Sequence, residues 1–422
     1  MRESGPRIQN ASLATVPVPN LGGLKAFHSR NQTGPAAGLR VALFSGNYNV
    51  VRDGANNALN RLVAHLLDRG AAVRIYSPTV AEPAFVPNGD LISVPSLPIP
   101  GRREFRLAMG LSRSVRADLE LFAPNIVHVS APDPLGVAAQ KFAHKRAIPV
   151  VASMHTRFET YFDYYGLGPV RDWAWRHLSR FYQRSDHVLV PNADCADSIA
   201  SMGIARDRLS IWGRGVDRDV FTPERRNMSW RRAQGYRDSD TILLFFGRIV
   251  LEKGVDSFVQ TIAELRARGY CGRPMIVGDG PALPWMREAL GDALCLGHLE
   301  GEALGRAVAS ADIFINPSLT EAFGNVTLEA MAAGLAIVSA DVGSARALIR
   351  AGHSGLLAPC DPTSLADAVE RLFRDPALAR QLRNTATGDA ATFRWPAVLD
   401  AALAAYLAVR AKKICRLVVD RG

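Results

Sequence analysis

Ile313-Phe-Ile-Asn316-Pro-Ser-Leu-Thr-Glu321-Ala-Phe323-Gly324-Asn325-Val326-Thr-Leu-Glu329-Ala-Met-Ala-Ala-Gly334 is the stretch whose reading decides the fold. Residues 313–315 are an apolar strand that runs into Asn316-Pro317-Ser318, residues that favour turns. A carboxylate follows, then Phe323-Gly324-Asn325, then a run of good helix formers that Gly334 closes. With the helix starting near Asn325, the free N–H groups of its first turn point back over the strand's carboxyl end and make an anion site. Glu329, about a turn into the helix, is spaced to hold a sugar or ribose hydroxyl, and Glu321 sits in the loop ahead of it. Two carboxylates beside an anion hole point to a ligand carrying both phosphate and hydroxyls. The competing reading is a solvated loop and a helix-start glutamate favoured by the dipole.

The same strand–turn–helix unit recurs outward from this stretch. Upstream, the buried strand 241–246 ends in Gly247-Arg248, and Glu252-Lys253-Gly254 precedes a helix. Two cations five residues apart around such a turn can clamp a diphosphate from two sides. Further units end in Gly278-Asp279-Gly280-Pro281 and in Gly297-His298-Leu299. In the first half, residues 40–46 form a short apolar strand, and the loop from Asn47 to Asp53-Gly54 leads into an amphipathic helix over 55–68. A strand over 72–76 follows. This βαβ opening, repeated downstream, predicts doubly wound α/β domains that bind ligands at the carboxyl ends of their strands. The first loop lacks a G-x-G-x-x-G pattern, which argues against a dinucleotide site. Strand 149–154 delivers His155 at its carboxyl end, followed by the aromatic and acidic run that holds Tyr161, Asp163 and Tyr164. That run suits stacking on sugar rings or contact with a lipid head group; the alternative is an aromatic hairpin or lid.

Glu321 and Glu329, with seven residues between them and Phe-Gly-Asn-Val inside, resemble the E-x7-E motif of the retaining, GT-B-fold glycosyltransferases of family 4. Gly247-Arg248 and Lys253-Gly254 are similar to that family's G-R-x(4)-K-G donor clamp. The resemblance spans about residues 40–410 and implies two Rossmann-like domains facing each other across a cleft. It implies that Glu321 and His155 hold the transferred sugar. Arg248, Lys253, Phe323, Gly324, Asn325 and Val326 would hold the donor's diphosphate, and Glu329 its ribose. Gly54 would let the backbone approach the donor phosphate, and Gly280 and Leu299 would lie near the base. His155-Thr-Arg-Phe, the later aromatics and Trp212-Gly-Arg-Gly-Val-Asp217 look like the branch that glycosylates lipids, notably α-mannosyltransferases and sulfoquinovosyl-diacylglycerol synthases. Tyr161, Asp163 and Tyr164 are then acceptor-side candidates. The resemblance further implies a nucleotide-sugar donor, GDP-mannose favoured over a UDP-sugar, and retention of anomeric configuration. One departure stands out: the family's glutamate is missing from Gly343-Ser344-Ala345-Arg346-Ala347, and no role is carried onto that segment.

At 422 residues the chain is long enough for two domains. The expected division is a disordered leader over 1–38, an acceptor-side domain over 39–213, and a donor domain over 214–394. A final helix over 395–413, with that over 365–373, returns across the first domain. Residues 224–240 read as linker, and the glycines at 213–215 as a hinge. No stretch reaches the roughly 18 apolar residues of a spanning helix. The net charge of +10 sits mostly in residues 1–213, with 24 Lys and Arg against 16 Asp and Glu. This basic half, with a basic helix expected over 102–121 and Trp173 and Trp175 in another expected over 171–184, suits an anionic membrane surface. A cytoplasmic protein, peripheral on the inner face of the membrane, is expected, with no nucleic acid partner. Cys195, Cys271, Cys295, Cys360 and Cys415 form no C-x-x-C pair, so inert thiols in a reducing compartment are expected. No cofactor or metal is expected: the cations and the helix start supply the positive potential, and Asp238-Ser239-Asp240 reads as a capping turn. Competing readings are a nucleotide-sugar epimerase of the same architecture, a transferase acting on a soluble or polysaccharide acceptor, and a non-catalytic sugar-nucleotide-binding protein.

Overall fold

Runs such as Val-Ala-Leu-Phe (41–44) and Ile-Leu-Leu-Phe-Phe (242–246) have no polar face, so a stable chain must cover them with helices on both sides. The computed structural model describes residues 33–51, 53–99, 102–157 and 168–419, and it does this twice. The first half runs β1 (Arg40–Phe44), α1 (Gly54–Asp68), β2 (Ala72–Ser77), β3 (Asp90–Ser93), β4 (Ser96–Ile99) and β5 (Arg102–Ala108). It continues through α2 (Arg113–Phe122), β6 (Ile126–Val129), α3 (Pro134–Lys145) and β7 (Val150–Ser153). The last elements of this half are α4 (Gly168–Gln183), β8 (His187–Val190), α5 (Ala193–Ser201) and β9 (Leu209–Ile211). Seven of these strands make one parallel sheet in the order β3-β2-β1-β6-β7-β8-β9. Apolar clusters centred on Phe44, Phe122 and Phe181, and on Leu43, Leu62 and Tyr406, cover its two faces.

The second half begins with α6 (Met228–Ala233) and proceeds through β10 (Ile242–Phe246), α7 (Val255–Ala267), β11 (Arg273–Val277), α8 (Leu283–Leu290) and β12 (Leu294–Cys295). Next come α9 (Gly301–Ala309), β13 (Ile313–Asn316), α10 (Asn325–Ala332), β14 (Ala336–Ala340), α11 (Gly343–Arg346) and β15 (Leu356–Ala358). Helices α12 (Pro362–Arg374), α13 (Pro376–Ala390) and α14 (Trp395–Val419) complete it. Its parallel sheet has the order β12-β11-β10-β13-β14-β15. The chain is thus two doubly wound α/β units with a parallel sheet each.

The chain passes between the units at two places, which touch: the amide of Val216 donates to Phe393 O at 3.0 Å, and Gly215 lies against Trp395 with no room for a Cβ. From there α14 runs back onto α1, β8 and β9.

Four expectations need correction. Residues 102–121 are not one basic helix: 102–108 form β5, paired antiparallel with β4, and only 113–122 are helical. Arg, Glu, Leu and Ala favour a helix locally, but Pro98 holds β4 extended and Leu97 finds Leu107 as its cross-strand partner. Residues 224–240 are not a linker. Arg231 is fully buried and donates to Asp312 Oδ2 at 3.0 Å and to Ser310 O at 2.9 Å, while Arg226 donates to Asp312 Oδ1 at 2.7 Å. The polarity that reads as solvated is an internal ion cluster. Helix α12 does not cross to the first unit; its apolar face of Leu365, Ala366, Val369 and Leu372 is buried against α7, β14 and β15. Finally, residues 33–38 belong to the structured part rather than to a leader, since Ala36 is buried and its amide donates to Arg69 O at 3.0 Å. Residues 1–32 lie outside the described residues.

Candidate active site

Each sheet reverses its strand order once, between β1 and β6 and between β10 and β13. Loops leaving the carboxyl ends of strands at such a point diverge and leave a crevice. The candidate residues stand on these loops.

On the second unit, β10 is followed by Gly247, whose φ of +135° turns the chain toward Arg248, and an added Cβ there would meet Val326 Cγ1 at 3.5 Å. The following turn, Leu251–Lys253, is closed by Gly254 at φ +74°, seated so tightly on Pro317 that a Cβ would lie 2.7 Å from its carbonyl oxygen. Thr320 Oγ1 donates to Glu252 O at 3.0 Å, fastening the loop after β13 to the same turn. These two contacts bring Lys253 Nζ to 2.7 Å from Glu321 Oε1, both side chains being largely shielded from solvent. Gly324, at φ +94°, then opens α10 with no side-chain cap, so the first-turn amides of Asn325 and Val326 stay available. Asn325 Oδ1 and Ser318 Oγ are buried and find no hydrogen-bond partner among the described residues, polar atoms that a ligand can satisfy.

The first unit closes against this surface. Asp53 caps α1, its Oδ1 accepting from Asn56 N at 2.8 Å, and Gly54 meets the Asn325 side chain with no space for a Cβ. Burial raises the Asp53 carboxyl above its ordinary value, opposed by the Asn56 amide and by the Arg248 and Arg214 guanidinium groups. Arg248 therefore lies within electrostatic reach of the α1 start. Asn192 Nδ2, at the cap of α5, donates to Ala322 O at 2.7 Å, between Glu321 and Phe323. Glu329 is pushed up to about 8: burial raises it, Arg61 opposes, and the Asp217 and Glu321 carboxylates add repulsion. Gly54, Arg248, Lys253, Glu321, Asn325, Val326 and Glu329 thus come together where the two units meet.

His155 leaves β7 on the first unit's side of this cleft. Its Nε2 lies 2.7 Å from Ser153 Oγ, and its Nδ1 accepts from Arg214 Nη2 at 2.9 Å. Burial, then the Arg214 charge and His128, hold it well below its usual value, so the ring is neutral. Phe323 is buried, its ring facing Phe393 and the Arg214 guanidinium, so this side chain braces the crossing between units. Gly280 lies on the backbone of Ile249, which locks the β11 loop to the Arg248 loop. Leu299 is half-buried against the second unit's core in the loop after β12. Tyr161, Asp163 and Tyr164 fall outside the described residues.

Sequence reasoning passed over four members of the cleft: Asp53, Arg61, Arg214 and Asp217. Arg214 is 4% exposed and donates through Nη1 to Trp212 O and Gly213 O and through Nη2 to His155. A charged residue between two glycines, right after an apolar strand, was the available signal. Asp238 is ion-paired with Arg232, and Asp240 accepts from Arg237 N at 2.8 Å, so this D-x-D forms a local turn.

A cleft of this kind, cationic and lined by paired carboxylates between two Rossmann-like units, belongs to nucleotide-sugar enzymes of GT-B fold. Comparison with known proteins agrees. Residues 52–220 match the profile of Glycosyltransferase Family 4, and residues 240–375 that of Glycosyl transferases group 1. The chain is 30% identical over 387 residues to a GDP-mannose-dependent alpha-mannosyltransferase of Mycolicibacterium smegmatis, covering 90% of this chain and 100% of that protein. It is 28% identical over 326 residues to the sulfoquinovosyl transferase SQD2 of Arabidopsis thaliana, covering 76% and 63%. Among solved structures, sucrose-phosphate synthase from Thermosynechococcus elongatus superposes with a TM-score of 0.71 at 18% identity, covering 91% of this chain and 100% of that one. The chain belongs to glycosyltransferase family 4 and has the GT-B fold.

Proposed function

We propose that this glycosyltransferase is a retaining hexosyltransferase that moves mannose from GDP-mannose to a lipid or glycolipid at the cytoplasmic face of a membrane. The observation that carries the reading is the convergence of Arg248, Lys253 and the uncapped start of α10 on one cleft, opposite Gly54. Displacing a nucleoside diphosphate requires the growing negative charge on the leaving phosphate to be stabilised in a site that excludes water. The two cations and the first-turn amides supply that potential. Glu329 takes the ribose hydroxyls, and Glu321 and His155 hold the sugar. Return of the acceptor on the face the diphosphate leaves, with the leaving phosphate taking the acceptor proton, gives retention without an enzymic nucleophile.

The choice of donor rests on the GDP-mannose-dependent relatives, one of them aligned over its whole length. A lipid acceptor is supported by the β4–β5 hairpin, where Leu97 and Leu107 face each other across the strands, 57% and 41% exposed, beside the 57% exposed Met109. Trp173 on α4 is also exposed. No helix among the described residues is long and apolar enough to cross a membrane. A thermal-shift series with GDP, UDP, GDP-mannose and several UDP-sugars tests the donor. Ligand at about 100 times its dissociation constant adds about 2.7 kcal/mol of stability, so GDP compounds are expected to raise the melting temperature and UDP compounds to leave it unchanged. Stabilisation by UDP-sugars alone overturns the choice. Turnover of the nucleotide sugar without any acceptor favours an epimerase.

A further inference from the structure

The His155 ring is part of a hydrogen-bond chain that crosses the sheet. Ser153 Oγ lies 2.7 Å from His155 Nε2 and 2.7 Å from His128 Nε2, and His128 Nδ1 is hydrogen-bonded to Tyr406 Oη on α14. His128 and Tyr406 are fully buried and Ser153 is 1% exposed. At the other end stands Arg214, buried, with its Nη2 on His155 Nδ1. The order is Arg214, His155, Ser153, His128, Tyr406. Its two ends lie on the two peptides that cross between the units: Arg214 beside Gly215, and Tyr406 on the helix that Trp395 starts.

An arginine donates hydrogen bonds and does not accept them. His155 Nδ1 is therefore the lone-pair nitrogen, and Nε2 carries the proton and gives it to Ser153 Oγ. This holds whichever way the protons run between Ser153, His128 and Tyr406. Burial also keeps His128 neutral, down to about 3, so no second charge disturbs the arrangement. The rings stay in place because Trp212 lies edge-on to both, with centroids 5.4 Å from His155 and 6.3 Å from His128.

We propose that Ser153, His128 and Tyr406 are positioning residues for His155, holding its imidazole as a fixed acceptor at Nδ1 and tying its orientation to both crossings between the units. A sugar hydroxyl that reaches Nδ1 in place of Arg214 gives a hydrogen bond and never receives one. The inference rests on the reading that His155 meets the transferred sugar.

The test uses the full chain with 15N-labelled histidine, a long-range 1H–15N spectrum to read the tautomers, and steady-state kinetics with GDP-mannose. The variants are Ser153→Ala, Ser153→Thr and Tyr406→Phe. The wild type is expected to show His155 protonated at Nε2 alone. With GDP-mannose bound, where a sugar hydroxyl stands in for Arg214 at Nδ1, Ser153→Ala is expected to mix the two tautomers and to lower kcat about tenfold, the low end of what partners that orient metal-bound histidines are worth, with the GDP dissociation constant unchanged. Ser153→Thr, which keeps the hydroxyl, restores both. If Ser153→Ala does not fold, Tyr406→Phe carries the test, since it removes only an oxygen and keeps the ring. An unchanged His155 tautomer in both Ser153→Ala and Tyr406→Phe with GDP-mannose bound overturns the relay. Mixed tautomers with wild-type kcat overturn it differently, by removing the sugar-side role of His155.

Discussion

Replacing Lys253 by alanine distinguishes two jobs that its ammonium is placed to do. With Nζ 2.7 Å from Glu321 Oε1 and both side chains mostly shielded, the pair interacts by about 6 kcal/mol at the effective dielectric near 20 that suits such sites. Much of that is returned as desolvation, so the fold is expected to lose only about 1–3 kcal/mol, the cost of leaving a polar group unsatisfied. If the ammonium also holds the leaving diphosphate, transition-state stabilisation falls by about 2–4 kcal/mol, a loss of roughly 30- to 1,000-fold in kcat/KM. GDP binding should weaken by about 1.5–3 kcal/mol, the worth of a charged hydrogen bond. The assay is GDP titration calorimetry and transferase kinetics on Lys253→Ala, Glu321→Gln and the double variant, read as a cycle. If Lys253 serves only to neutralise Glu321, the double variant regains wild-type GDP affinity. That recovery, or an unchanged GDP dissociation constant in Lys253→Ala, refutes the clamp.

Glu329 offers a test by pH. Its folded pKa of about 8 lies above the ordinary 4.5, so between those values the folded state holds a proton that the unfolded chain has released. Its contribution is complete below the ordinary value and is lost as pH rises toward 8, at up to about 1.4 kcal/mol per pH unit. Glu329→Gln should flatten the fall in melting temperature between about pH 5 and about pH 8; parallel curves for wild type and variant refute the shift. Asp312→Ala strands the fully buried Arg231, together with Arg226 and Arg383. It should cost about 3–5 kcal/mol in urea unfolding, and a loss under about 1 kcal/mol shows that the cluster is dispensable. Vesicles containing anionic lipid should retain the protein at low salt and release it as screening rises. Leu97→Asp with Leu107→Asp should abolish retention, and wild-type protein that stays unbound at low salt removes the membrane reading.

How far the site is legible depends on which contacts make it. The Glu321-to-Glu329 stretch, the Arg248 and Lys253 turn and the strand ending at His155 are each built from neighbours in sequence, so spacing and glycine placement announce them. Arg214 acquires its partners from elsewhere: the imidazole 59 residues before it, and the Phe323 ring after it in the second unit. No local pattern reports such a meeting. The β4–β5 hairpin was missed for a related reason, because its residues prefer a helix alone and a strand only when Leu97 stands opposite Leu107. The ion cluster at Asp312 shows the reverse error, in which arginines that look solvated are spent on one buried carboxylate.

By itself the chain of letters determined two parallel α/β units and the chemical character of the cleft, since apolar runs, glycine turns and helix starts act over a few residues. The three-dimensional arrangement alone decided that Lys253 faces Glu321, that Glu329 is held protonated, and that Tyr406 lies in contact with His128, 278 residues earlier. Burial and through-space charge depend on what folding brings near, and those neighbours are remote in sequence.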